Sequence, residues 1–252
     1  MNQQINEPIK VALITGAARR IGAEIARQLH QRGLNIVIHC RQSTGDADTL
    51  RHSLNQQRPD SCQVVQADLS DNQQVIELAQ QAKDCFGRLD VLINNASSFY
   101  PTPIGEGSEA QWDDLFASNA KAPFFLSQAL APELTKRGGS IVNICDIHAD
   151  KPLGQHTIYC MAKAANVMLT QSLAKELAPD VRVNGVSPGA ILWPEQEAEL
   201  EPQGQQKILR QIPLARTGKP HNIATTVTFL ALDNDYITGQ IIPVDGGRSL
   251  GH

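Results

Sequence analysis

The amino-acid sequence predicts one α/β domain over residues 1–252, a doubly wound parallel sheet of about seven strands with helices on both faces. Three observations lead there. Short apolar runs alternate with longer amphipathic stretches along most of the chain. Several runs are nearly continuous in Val, Ile and Leu, as strands buried on both faces of a parallel sheet require. The chain's 252 residues suffice for one full-sized core but not for two comfortable domains, and no repeat, low-complexity tract or linker divides them.

Taken in order, strands are expected at 11–15, 35–39, 63–66, 91–94, 140–145, 182–187 and 240–244. Apolar residues recur at helical spacing in 21–32, 71–86, 113–135 and 159–177. One stretch, 190–211, breaks the pattern with Pro194, Pro202, four glutamates and little periodicity. It leaves the sixth strand directly after Pro188-Gly189, so it is expected to act as a lid over a site at the sheet edge.

Bulk composition narrows the function classes. Apolar residues make up 41% and charged residues 19%, an ordinary globular balance. A net charge of −4 offers nucleic acid or an anionic membrane no electrostatic attraction. No apolar run approaches the roughly 20 residues of a membrane span, and the first ten residues, MNQQINEPIK, lack a secretory apolar stretch. The five cysteines, Cys40, Cys62, Cys85, Cys145 and Cys160, are scattered without CxxC spacing. The expectation is a soluble, cytoplasmic, metal-free protein with reduced thiols.

The first strand runs into Thr15-Gly16-Ala17-Ala18-Arg19-Arg20-Ile21-Gly22 and then a helix. A glycine-bearing turn of this kind points backbone N–H groups from a helix amino terminus, where a pyrophosphate binds favourably. The second strand ends in His39-Cys40-Arg41-Gln42-Ser43. An acidic residue there would hold the ribose hydroxyls of NAD, whereas basic and hydroxyl groups suit the 2′-phosphate of NADPH. Asp68, after the third strand, is placed to accept from an adenine amino group, and Asn94-Asn95-Ala96-Ser97 ends the fourth strand in small polar residues. In the second half, Tyr159 and Lys163 are four apart on one helix face. An ammonium near a phenol favours the phenolate, so Tyr159 is expected to have a lowered pKa and to donate a proton near neutral pH.

These segments together resemble the short-chain dehydrogenases/reductases: TGAARRIG, Ala67-Asp68-Leu69, NNAS, Tyr159-x-x-x-Lys163, Ser187-Pro188-Gly189 and Val244-Asp245-Gly246-Gly247 stand in that family's order. The resemblance implies a Rossmann-like domain. It places the cofactor against Gly16, Arg20, Ile21, His39, Arg41, Ser43, Asp68, Leu69, Asn95, Ala96, Ser97, Tyr159, Lys163, Pro188 and Gly189. It also makes Asn119 the helix asparagine that holds a water near the lysine.

Three departures point to one branch. Arg20 stands where the family's TGxxxGxG has glycine, and Asp146 stands thirteen residues before Tyr159 where most members have serine. The third is NNASSF, 94–99, followed by Tyr100-Pro101-Thr102-Pro103. In these the chain is similar to the pteridine and dihydropterin reductases, which implies NADPH-dependent reduction of a pterin. Tyr159, Lys163, Asp146 and Asn119 would then be catalytic, with Arg20, Ser97, Phe99, Asp146, Tyr159 and His252 facing substrate. Phe99 would stack on the pterin ring, and His252, with Arg248 as the alternative, would border a neighbouring subunit's site in a homotetramer. Asp146 has a second reading as a cap of the loop before the Tyr159 helix. The rival functions are a carbonyl reductase acting on 3-oxoacyl thioesters or sugars, and a non-catalytic NADPH-binding regulator.

Overall fold

The computed structural model describes residues 8–192 and 202–251. Seven parallel strands form one sheet: β1 (Val11–Ile14), β2 (Asn35–Cys40), β3 (Cys62–Gln66), β4 (Val91–Asn94), β5 (Ser140–Ile144), β6 (Arg182–Pro188) and β7 (Ile241–Val244). Their spatial order is β3-β2-β1-β4-β5-β6-β7. The order runs outward both ways from β1, which pairs with β2 through Val11–Asn35 and with β4 through Ala12–Val91. Between β1 and β4 the crossovers reverse direction, and at such a switch point the carboxyl ends of the strands leave a crevice.

Each face of the sheet is covered because its strands are apolar on both sides. One layer packs α1 (Arg20–Gln31), α2 (Thr44–Gln57) and α8 (Pro220–Thr228) on Ile14, Ile36, Ile38 and Ile93. The other packs α3 (Asn72–Asp84), α5 (Ala122–Arg137) and α6 (Thr157–Glu176) on Leu13, Val37, Leu92 and Ile141. Burying Ile25 and Leu29 on one side and Leu126, Leu130 and Leu134 on the other removes them wholly from water. Each such side chain contributes about 1.5–3 kcal/mol.

Three elements depart from the sequence expectation. Helix α2 was not anticipated; only Ala47, Leu50 and Leu54 of it are buried, too few for a strong periodic signal. The span read as one helix over 113–135 is α4 (Glu109–Phe116) and α5 joined by a widened turn, Ala117–Lys121, with i→i+5 geometry. In 190–211, residues 193–201 lie outside the described residues, while 202–210, expected to lack periodicity, form helix α7 (Pro202–Arg210). Among the described residues no helix is long and apolar enough to cross a membrane.

Candidate active site

At the β1–β4 switch point the chain turns sharply after Ile14. Thr15 Oγ1 accepts the backbone N–H groups of Asn95 (2.9 Å) and Ala96 (3.0 Å), while the Asn95 amide donates to the Thr15 carbonyl at 2.8 Å. Turn and strand end are thus stitched together. Gly16 has φ +61°, and a side chain there would press on Ala96. At Gly22 a Cβ would sit 2.5 Å from the Gly16 carbonyl oxygen, so only glycine lets α1 approach the turn. Helix α1 has no side-chain cap and no acidic residue in its first turn. Its amino end therefore keeps the partial positive charge that favours an anion.

Arg20 also has a left-handed backbone, φ +54°. Glycine adopts this conformation freely, whereas a residue with a Cβ is strained there by about 1 kcal/mol. The departure noted in the sequence thus carries a conformational cost and puts a guanidinium at the mouth of the turn.

A cavity of about 370 Å³ opens over this turn. Of the residues assigned to the cofactor, Gly16, Arg20, Ile21, His39 and Arg41 line it, as do Asp68, Leu69, Asn95, Ala96 and Ser97. Ser43, Tyr159, Lys163, Pro188 and Gly189 lie outside its walls. His39 brings no charge, contrary to its reading as a basic partner of a phosphate. Its ring is buried, Nδ1 accepts the Gly16 N–H at 3.1 Å, and Nε2 donates to the Ala67 carbonyl at 3.1 Å. Burial pushes its pKa down to about 4, so it is a neutral strut between β1, β2 and β3. Asp68 accepts from both the backbone and the hydroxyl of Ser70, which hold its carboxyl below the usual range. Arg41 is exposed, and Ser43 precedes α2.

Along the sheet edge the second group of residues assembles. Tyr159 is 4% exposed, and its hydroxyl donates to Asp146 Oδ2 at 2.7 Å. The other carboxylate oxygen, Oδ1, accepts the His148 N–H at 2.8 Å and caps the short turn Ile147–Ala149. Asp146 therefore holds the tyrosine and caps the loop at once. The buried Lys163 ammonium donates to the Ile144 carbonyl at 2.9 Å and lies 5.8 Å from the centre of the Tyr159 ring. The phenol's pKa is not lowered, as the Tyr-Lys spacing had suggested. Burial, and then the Asp146 charge, push it well above the ordinary phenol value, so the proton is held on oxygen. Burial pushes Lys163 the other way, below its ordinary value.

Asn119 sits on the widened turn between α4 and α5, the kind of helix distortion that aims a functional side chain. Its amide donates to the Ser98 (3.0 Å) and Leu115 (2.9 Å) carbonyls, and its carbonyl oxygen accepts from the Ser97 hydroxyl at 2.7 Å. It clamps the β4 loop to the helix, and Ser97 links the cavity to the neighbourhood of Tyr159. Phe99 is 45% exposed, edge-on to Tyr159 with ring centres 4.8 Å apart at 80°. It stacks on His156 at 4.8 Å and 15°.

Sequence reasoning missed His156, although it stands three residues before Tyr159, where a helix face brings side chains together. It also missed the buried chain in which Asn94 donates to Asn143 (2.8 Å) and Asn143 to Thr170 (2.8 Å), tying β4, β5 and α6 beneath the site.

Pro188 ends β6 against β7 and Gly189 follows it, where a Cβ on Gly189 would meet Asp245 Cβ at 2.6 Å. Asp245 accepts the N–H groups of Gly247 and Ser249, shaping the turn that carries Arg248. Arg248 bonds Gln211 of its own chain at 3.4 Å, and the charges of Asp146 and Asp245 act on its guanidinium. His252 lies outside the described residues.

Comparison with known proteins accords with this geometry. The family described as Enoyl-(Acyl carrier protein) reductase matches residues 16–249. Pteridine reductase 1 of Leishmania tarentolae is 41% identical, the match covering 95% of this chain and 96% of the relative. A 3-oxoacyl-(acyl-carrier-protein) reductase FabG of Staphylococcus aureus is 37% identical, covering 94% and 97%. A short-chain type dehydrogenase/reductase of Picea abies is 32% identical over 95% of this chain. The protein belongs to the short-chain dehydrogenase/reductase family and is an oxidoreductase of that type, in a family that uses NAD(P)H. The residues present fit such a cofactor: an uncapped helix end, a glycine whose Cβ would fill the turn, and an open cavity edged by Arg41 and Asp68.

Proposed function

We propose that this single-domain protein is an NADPH-dependent pteridine reductase, converting a dihydropterin to the tetrahydro form, with oxidised pterins and folates as further candidate substrates to be tested. The observation that carries this reading is the 2.7 Å bond from the Tyr159 hydroxyl to Asp146. A ketone reductase needs a donor such as serine at that position for the developing oxyanion; a carboxylate accepts only, and repels negative charge. A pterin ring nitrogen needs a proton, which Tyr159 holds and Asp146 can help to route.

When bound, NADPH supplies the hydride. The chain's own groups do the rest. Gly16, Ile21, Asn95 and Ala96 shape the pyrophosphate turn, Arg41 and Ser43 serve the 2′-phosphate, and Asp68 and Leu69 border the adenine. Pro188 and Gly189 flank the nicotinamide. Arg20 and Ser97 help fix phosphate and pterin, and the exposed face of Phe99 offers a planar ring a stacking surface. Lys163 and Asn119 hold the Tyr159 region in place, and the protein assembles as a cytoplasmic homotetramer.

The second reading, a 3-oxoacyl thioester reductase, is favoured by the FabG relative's 37% identity over nearly the whole chain. Steady-state NADPH oxidation with a dihydropterin and with an acetoacetyl thioester separates the two. Turnover with the pterin at least about 100-fold more efficient is expected, a ratio that one mismatched polar group can supply. Preference for the thioester overturns the pterin reading. NADPH binding without turnover of either substrate makes the protein a non-catalytic binder.

A further inference from the structure

We propose that Asp46 sets how strongly this site discriminates between cofactors with and without a 2′-phosphate, by competing with that phosphate for the guanidinium of Arg19. The proposal rests on the NADPH reading above and adds to it a residue of opposite sign. Arg19 ends the turn after β1 and lines the same cavity as Arg41 and Asp68. Its Nη2 lies 2.5 Å and its Nε 2.6 Å from a single oxygen, Asp46 Oδ2. Asp46 belongs to the first turn of α2, the helix that begins where the β2 end delivers Arg41 and Ser43. The ion pair therefore spans the place where a cation for the 2′-phosphate is wanted.

The pair is made to be broken. Both side chains face water, 64% and 45% exposed, so it contributes little to folding and Arg19 can exchange partners. A phosphate ester carries nearly two charges and three acceptor oxygens, and so outbids one carboxylate oxygen for a guanidinium. Asp46 does not leave when this happens, because its backbone is fixed in α2. It works against the phosphate twice, first by holding a donor and then by its own field at short range. Neither cost falls on a cofactor that ends in a free 2′-hydroxyl. The carboxylate also suits the amino end of α2, which explains its presence there independently of any ligand.

Asp46→Asn, Arg19→Ala and the double variant, each titrated by fluorescence with NADPH and with NADH, test this. Asp46→Asn is expected to bind NADPH about fivefold more tightly, the reach of one exposed charge pair, and to leave NADH unchanged. The double variant should lose the gain, and the gain should shrink in high salt. Asp46→Ser, which keeps a good helix-start residue, should repeat the result if Asp46→Asn folds poorly. An equal shift for both cofactors, or none, overturns the proposal. A wild-type protein that binds NADH as well as NADPH overturns the NADPH reading and this inference with it. A clear wild-type preference for NADPH that Asp46→Asn leaves unaltered overturns the role of Asp46 alone.

Discussion

The two ends of the site are built by different means. At the β1–α1 turn the backbone does the work: Gly16 and Gly22 admit close approach, and Thr15, Asn95 and neutral His39 hold the loop by bonds to main-chain groups. At the β5–α6 end side chains do it, with one carboxylate shared between Tyr159 and a loop cap and a buried ammonium spent on the Ile144 carbonyl. A backbone site tolerates change in most side chains but not in its glycines. A side-chain site can be dismantled group by group, so rate and stability can be separated there.

The largest expected effect is at the side-chain end. Tyr159→Phe removes the hydroxyl that donates to Asp146 Oδ2 and should lower kcat about 10³-fold, within the range for loss of a proton donor. A variant with near wild-type kcat would remove Tyr159 from the chemistry and make that end structural.

Asp146→Asn sharpens the same contrast. Asparagine caps as well as aspartate, so the His148 bond survives and the melting temperature should fall by no more than a few degrees. The proton route is altered, and kcat for the dihydropterin should fall about 100-fold. Wild-type turnover with a lowered melting temperature would assign Asp146 to the cap alone.

At the backbone end the matching test is pH. His39 is held neutral, with its pKa depressed from 6.5 to about 4. A depressed folded value means that the stability is fully present above pH 6.5 and is lost as pH falls toward 4, where the unfolded chain binds the proton first. His30, also lowered by burial, adds in the same direction. Urea denaturation across this window should show His39 costing about 3 kcal/mol, at about 1.4 kcal/mol per pH unit. A flat stability profile between pH 6.5 and 4 would show that the ring is not a buried neutral strut.

The smallest effect belongs to Arg20. Arg20→Gly relieves the left-handed backbone and should raise stability by about 1 kcal/mol in thermal or urea unfolding, while weakening ligand binding through loss of the guanidinium. A variant no more stable than the wild type would mean that the strain is compensated by contacts of the side chain.

The strands were legible because several are short, nearly unbroken apolar runs, and the glycine turn because Gly16 and Gly22 punctuate a strand-to-helix junction. Helix α2 was not, since three buried residues among polar neighbours leave little period to read. His39 looked like a charge because a sequence carries residue type but not burial. Tyr159 misled in the same way: spacing put Lys163 on its helix face, but only packing decided that the ammonium turns to Ile144 and that burial governs the phenol.

The sequence by itself determined the order and kind of the main elements, the sheet class, and which residue types stand at each strand end, because periodicity and glycine placement are local properties. Tertiary structure alone decided what those residues do to one another. Asp146 meets Tyr159 from another element, Asn119 clamps Ser97 across a widened helix turn, and Arg19 finds Asp46 twenty-seven positions away. Charge state and hydrogen-bond partner depend on distance and on exclusion of water, and both are set only when elements remote in the chain pack together.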